Sequence, residues 1–494
     1  MNIKKFPTHF VFPEGASAGL AVKAITAIYN SKNAASLIPY VGALDIYFCQ
    51  SQDQRPLKDD LVTLAVEKLI HNTCVVKKSA TTICDVLIVG GASRSHEIRF
   101  LTNIARGLMA SGLCLGFMTS RDSDEEKQLM GLRPMNGQSP IELIDLFELP
   151  QGQDLISFQL EVTTMAIKDL KSLFSLIDPL QISLSYGAAN EIATVALLKC
   201  AWTQRRNFIK FSHLITRNNW SPLGAIIASE GLHQLKTILT FQHSVISTPA
   251  GYTPILANHY ICYGHPSEEL LKTLEASWER PLSRPLHFHC GGAVWDDIPR
   301  IMPDQFHKKT LLVIDQFSEW AKNYYGLHED FESLFHTVED LAESLPLIKQ
   351  IRIRLHPDNP EDPRWHRLAK KWPQKVLISS SHVRPEEDLI ESSMAIGLFS
   401  TALISACRWG IPAIPLWEEG RYYTPDLRAL YTAFATPPDE VRPLILDYFT
   451  HNERYSVACA EALNVGRQYF SQRLPFEFSP QQITQFFPKI KAAS

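Results

Sequence analysis

The stretch that decides the fold is QIRIRLHPDNP (350–360), followed by EEDLIESSMAIGLFSTALISACRWGIPAIPLW (386–417). Its apolar runs are four to six residues long, and they alternate with helical text and turn residues. The order reads strand, loop, helix, strand, loop, helix, strand. Two polar clusters fall where strands end: Arg354-Leu355-His356-Pro357 and Ser400-Thr401. In an open α/β sheet, ligands bind outside the carboxyl ends of the strands. A basic pair at one strand end and a hydroxyl pair opening the neighbouring helix make a seat suited to a phosphorylated ligand.

The same grammar runs upstream. Cys84 to Gly91 reads as a continuous apolar strand ending in two glycines, Ser93 to Gly112 as an amphipathic helix, and Leu113 to Ser120 as the next strand. Further strands are expected over Gln181–Tyr186, Lys236–Ser244, Asn258–Gly264 and Pro285–Gly292. Helices are expected over Asn190–Thr203 and Ser221–Leu235, the latter with Ser221 as N-cap and Pro222 at the first helical position. Uniformly apolar strands separated by helices indicate a parallel sheet covered on both faces. A second unit begins near Lys308 with the strand Thr310–Asp315. The first 80 residues carry a helix (Ser17–Tyr29), a strand (Ala43–Gln50) and another helix (Asp59–His71). The expected class is therefore α/β, with two tandem Rossmann-like parallel-sheet domains and a cleft between them. The expected divisions are an N-terminal extension (1–80), an acceptor-side domain (81–305), a donor-side domain (306–438) and a helical C-terminal segment (439–494).

Bulk properties narrow the function. The chain has 494 residues, 45% hydrophobic and 20% charged, with a formal net charge of -4. That balance gives no general attraction to nucleic acid. No secretory leader is visible and no apolar run is long enough to span a bilayer. A cytoplasmic enzyme is expected, and composition leaves peripheral attachment at the inner face of a membrane open. The nine cysteines form no CxxC pair, which argues against a disulfide framework or a zinc site.

Four motifs in chain order resemble the GT-B glycosyltransferase fold, and most closely the bacterial surface-polysaccharide transferases of sialyl-, Kdo- and CDP-glycerol type. The first is Phe241-Gln242-His243-Ser244, similar to a QHG strand end. Tyr263-Gly264 and His289-Cys290-Gly291-Gly292 follow. The third is Arg354-Leu355-His356-Pro357, similar to an R-x-HP motif. The last is Gly397-Leu398-Phe399-Ser400-Thr401 with Gly410-Ile411-Pro412. Ser244 replaces the family glycine, and no acidic-acidic-glycine motif is present; Ser229-Glu230-Gly231 comes nearest. The resemblance spans residues 180 to 420. It implies an inverting transferase that moves a sugar from a nucleotide-activated, CMP-linked donor to a cell-surface glycan. Its partners would be a nucleotide-sugar and a glycan acceptor. The alternatives are a nucleotide-sugar 2-epimerase, a CDP-glycerol-type polymer transferase, and a non-catalytic glycan-binding partner.

On the donor side, His356 could donate to or protonate the leaving phosphate, with Arg354 adding charge. Ser400 and Thr401 open a helix whose free N–H groups favour an anion, Gly397 lets backbone approach, and Gln316 follows the strand TLLVID. The plain alternatives are a solvated strand face for Arg352 and Arg354, a turn for His356-Pro357 and an ordinary N-cap for Ser400. On the acceptor side, the candidate bases are Glu191, then His243, then Glu230. Each has an ordinary structural role beside it: a first-turn acid, a core hydrogen bond and a mid-helix carboxylate. Arg94, Ser95 and His96 could grip an acceptor anion. No DxD motif is placed to hold a metal-bound diphosphate, so no metal and no cofactor beyond the donor are expected.

Overall fold

A computed structural model describes residues 9–13, 16–29, 37–41, 81–90, 95–118, 141–144, 146, 155–177, 186–216, 221–242, 244–249, 252–253, 255–277, 285–291, 306–316, 319–356, 359–379, 385–469 and 486–487. The strand and helix expected at Ala43–Gln50 and Asp59–His71 lie outside these residues.

The described elements of the first half are α1 (Ser17–Tyr29), β1 (Thr82–Ile83), β2 (Val86–Val89), α2 (Ser95–Ala110), β3 (Leu115–Met118), β4 (Glu142–Ile144), α3 (Leu155–Ile177), α4 (Tyr186–Arg205), β5 (Ile209–Lys210), β6 (His213–Ile215), α5 (Pro222–Gly231), β7 (Thr237–Phe241), β8 (His259–Cys262), α6 (His265–Ala276) and β9 (His287–Cys290). Seven of the strands form one sheet in the order β4-β3-β2-β6-β7-β8-β9, and every pairing is parallel. The second half contributes β10 (Thr310–Ile314), α7 (Glu319–Tyr325), α8 (His328–Ser344), β11 (Gln350–Arg354), α9 (Pro363–Lys371), β12 (Val376–Ile378), α10 (Pro385–Ile390), β13 (Met394–Gly397), α11 (Thr401–Arg408), β14 (Ala413–Pro415), α12 (Arg428–Phe434), α13 (Pro438–Thr450) and α14 (Asn452–Tyr469). Its five strands are also all parallel, in the order β12-β11-β10-β13-β14.

The two tandem parallel-sheet units are thus present as expected. Their cause is visible in the strands: Val86–Val89 and Thr310–Ile314 are buried at every position, which only a sheet covered on both faces allows. Capping fixes helix starts. The Ser221 hydroxyl accepts from the Gly224 amide at 3.3 Å, and Pro222 occupies the first turn. Gly410 stops α11 in the left-handed region (φ 72°), where its amide bonds the Cys407 carbonyl. The GxP segment is therefore a helix stop leading into β14.

One contiguous apolar core crosses both halves, and a second covers the other face of the first sheet. That second core unites α2 residues such as Leu101 and Leu108 with Leu239, Phe241, Ile261 and, from the far end of the chain, Phe486 and Phe487. The Thr237 hydroxyl bonds the Phe486 carbonyl at 2.7 Å. At the other end, Val11 forms an antiparallel bridge with Tyr423 of the second half, and α1 packs against both α3 and α7. Each terminal segment thus reaches the half that is distant from it in sequence. Among the described residues no helix is long and apolar enough to cross a membrane.

Candidate functional site

The halves are sewn together at the carboxyl ends of their strands. Beyond β7, the Val245 amide donates to the Thr401 hydroxyl at 3.2 Å, and Thr401 stands beyond β13. The loop after β7 is held further by the segment 422–426. The Thr424 hydroxyl donates to the Ile246 carbonyl at 2.5 Å, Tyr422 donates to the Ser247 carbonyl, and the Ser247 and Tyr325 hydroxyls lie 2.6 Å apart.

At the centre of this seam is Asp426, which is fully buried. Its carboxylate accepts from the Ser267 hydroxyl at 2.6 Å, from the Ile246 amide at 2.7 Å and from Gln242 Nε2 at 3.4 Å. Gln242, also fully buried, accepts in turn from the Tyr263 amide at 2.9 Å. The glutamine of the QHG-like motif is therefore a knot between the sheets. Gly264 has a packing reason of its own. A Cβ there would stand 2.1 Å from the Gln468 carbonyl oxygen, so only glycine admits α14 this closely.

Burial pushes the Asp426 carboxyl up to about 6, and its three hydrogen bonds offset only part of that rise. A carboxyl whose folded value exceeds its unfolded value of about 4 holds more protons when folded. Its stabilising contribution is complete below the unfolded value and disappears as pH rises through the folded one. Asp426→Asn removes this titration. Between about pH 4 and pH 7 the stability difference between variant and wild type is expected to move in the variant's favour, by on the order of 3 kcal/mol. Denaturant titrations of both proteins across that range check it, and a pH-independent difference refutes it.

At the edge of the second sheet, parallel strands bring Gln316, His356, Ser379 and Ser400 to the same side, each just beyond a strand end. Gln316 Oε1 accepts from the Phe399 amide at 3.1 Å, tying the ends of β10 and β13. The Ser400 hydroxyl caps α11 by accepting from the Ala402 amide at 3.1 Å. Ser400 and Thr401 both accept through oxygen, which leaves each hydroxyl proton to donate. Gly397 has a packing role: a Cβ there would lie 3.0 Å from the Ile314 carbonyl oxygen.

The arginines are not simply a solvated face. Asp388, fully buried, takes Arg352 at 3.1 Å and Arg354 at 2.8 Å, and the Ser379 hydroxyl donates to it at 2.7 Å. Read along the chain, Asp388 is one of three acids in the first turn of a helix. In the fold it anchors β11 immediately before His356.

On the first half, α4 starts at Tyr186, so Glu191 sits in the second turn of a longer helix and does not open one. Of the strand expected over Gln181–Tyr186, residues 181–185 lie outside the described residues and Tyr186 instead opens α4; His243, Pro357 and the orientation of the Glu191 side chain lie outside them as well. Of the other candidates, Ser95 and His96 fall in α2 and Arg94 lies outside the described residues. Glu230 is engaged structurally, accepting from Trp202 Nε1 at 2.9 Å and from Arg206 at 3.0 Å.

No protein-family model and no curated protein matches the chain. Solved structures do. A putative UDP-N-acetylglucosamine 2-epimerase from Listeria monocytogenes is 10% identical with a TM-score of 0.43, over 79% of this chain and 95% of that one. A UDP-GlcNAc 2-epimerase from Neisseria meningitidis, bound to UDP-GlcNAc, is 10% identical with a TM-score of 0.44, over 78% and 97%. MurG from Acinetobacter baumannii is 9% identical with a TM-score of 0.41, over 83% and 100%.

Proposed function

We propose that the chain is a GT-B nucleotide-sugar enzyme, an inverting glycosyltransferase that takes a sugar from a CMP-linked donor to a cell-surface glycan. The observation that carries the reading is the 3.2 Å bond from Val245 to Thr401. It joins the loop that follows Gln242 of the first sheet to Thr401 of the second, at the carboxyl ends where α/β sheets bind ligands.

In this reading the acceptor hydroxyl attacks the anomeric carbon, a base on the first half takes its proton, and the glycosidic bond to the phosphate breaks. The departing phosphate receives hydrogen bonds from the Ser400 and Thr401 hydroxyls and from His356. Donors fixed in place before charge develops stabilise such a transition state more than any other single effect. For the base, the start of α4 weakens the strand-end argument for Glu191. His243 now leads the proposal, because it stands in the chain between Gln242 and Ser244, and Gln242 is fixed at the seam.

Calorimetry with CMP, CDP, UDP and GDP tests the nucleotide assignment. CMP is expected to bind, and Ser400→Ala to weaken it by about 1.5–3 kcal/mol, the worth of a hydrogen bond to a charged group. Binding of no nucleotide refutes an enzyme of this class. Preference for UDP with epimer formed from a UDP-sugar in the absence of acceptor replaces the transferase by a 2-epimerase.

A further inference from the structure

The absence of a CxxC pair says nothing about cysteines that meet across strands. Cys262 ends β8 and Cys290 ends β9, and the parallel register pairs them directly. Paired residues point to the same face, and their sulfurs lie 3.9 Å apart. Glu268, one turn into α6, places Oε2 3.1 Å from the Cys290 sulfur. These three ligand atoms all lie within 4.8 Å of one another. His265, the first residue of α6, adds Nδ1 at 3.8 Å from the Cys290 sulfur and 3.3 Å from Glu268 Oε2.

Four of these separations, from 3.1 to 3.9 Å, come close to those around one tetrahedral ion. Zinc binds thiolate at about 2.3 Å and imidazole or carboxylate at about 2.0–2.2 Å, so the corners of its tetrahedron stand about 3.3–3.8 Å apart. Two sulfurs, one imidazole and one carboxylate form a borderline-soft set, which selects zinc over magnesium or calcium. The outer partner is present as well. Lys272 Nζ holds the other oxygen of Glu268 at 2.5 Å, fixing the carboxylate so that Oε2 turns toward the sulfurs. The nearby histidines His259, His287 and His289 do not join the set. Side chains alternate along a strand, and His259, paired with His287, lies three residues from Cys262 and so faces the opposite side.

We propose that Cys262, Cys290, Glu268 and His265 hold a zinc ion that pins β8, β9 and α6 together beside the seam. Each thiol releases its proton to solvent on binding, and the exposed His265 ring turns inward to close the tetrahedron. The neighbouring Ser267 carries the bond to Asp426, so the ion would stiffen the element through which the first half grips the second. This site is structural and does not depend on the sugar-transfer reading.

The test uses the full chain purified under reductant. Zinc and cobalt(II) are titrated, with metal content read by mass spectrometry and thiolate-to-cobalt charge transfer read by absorbance. One equivalent is expected, with the charge-transfer band of thiolate ligation. Cys290→Ser is expected to weaken zinc by more than the roughly 10- to 100-fold that loss of an outer-shell partner costs. Glu268→Gln and His265→Ala should each weaken it with the fold intact by circular dichroism, and they keep the test valid if a cysteine variant misfolds. Cys407→Ser, in α11, should bind as wild type. Failure of the reduced protein to bind either metal overturns the site. So does binding that Glu268→Gln, His265→Ala and Cys290→Ser leave unchanged, or a Cys262–Cys290 disulfide that yields no metal-binding protein on reduction.

Discussion

Asp388→Ala is expected to cost about 3–5 kcal/mol of stability, the effect of removing one partner from a buried ion pair. The carboxylate is fully buried between two arginines and a serine hydroxyl, whereas Arg352 and Arg354 retain about a fifth of their exposure (20% and 21%). Its removal leaves two guanidinium groups facing each other along one strand with no carboxylate between them, in a setting where water reaches only in part. Asp388→Asn keeps the shape and one acceptor and should fall between wild type and alanine. Equilibrium denaturation measures the series. A loss below about 1 kcal/mol for alanine would place the trio among ordinary surface pairs and remove the argument that Asp388 sets the end of β11.

The second large effect concerns turnover. His356→Ala is expected to lower sugar transfer by roughly 10²- to 10⁴-fold, the range for loss of a positioned proton donor, while the melting temperature stays near wild type. The side chain is half-buried and follows the anchored strand end, so its removal opens no core cavity. The pair of measurements separates the roles. Asp388→Ala acts on stability first and on turnover through the displaced strand, whereas His356→Ala acts on turnover alone. Unchanged turnover in His356→Ala excludes this residue from the chemistry.

The sheets are legible in the chain because their strands are uniformly apolar and bounded by turn residues, as in Val86–Val89 and Met394–Gly397. Helix α1 is readable to its ends, and Ser221 announces its helix. Short strands are not: Glu142–Ile144 and His213–Ile215 have three residues each, too few for a period, and one carries a polar residue in the core. The long helix Leu155–Ile177 also emerges only in the fold. At the site, residue types and strand ends can be read, because Ser400 and His356 follow local rules. Partners cannot. Asp388 looks like a helix-dipole acid until the fold places it under two arginines 34 and 36 residues away. Nothing local marks Asp426, on which Gln242, Ile246 and Ser267 converge from more than 150 residues upstream.

The crossed termini bear on how the molecule is made. A ribosome delivers the strands of the first sheet long before it releases Phe486 and Phe487, which complete the core over Leu239, Phe241 and Ile261. Until then that face lacks part of its cover, and the bridge partner of Val11, Tyr423, is also unmade. Closing these contacts requires ordering loops of hundreds of residues, which slows the final step and leaves apolar surface open to self-association meanwhile. Vectorial synthesis therefore yields a nascent first half that waits for Phe486 and Phe487, and either half produced alone would lack a strip that the other supplies.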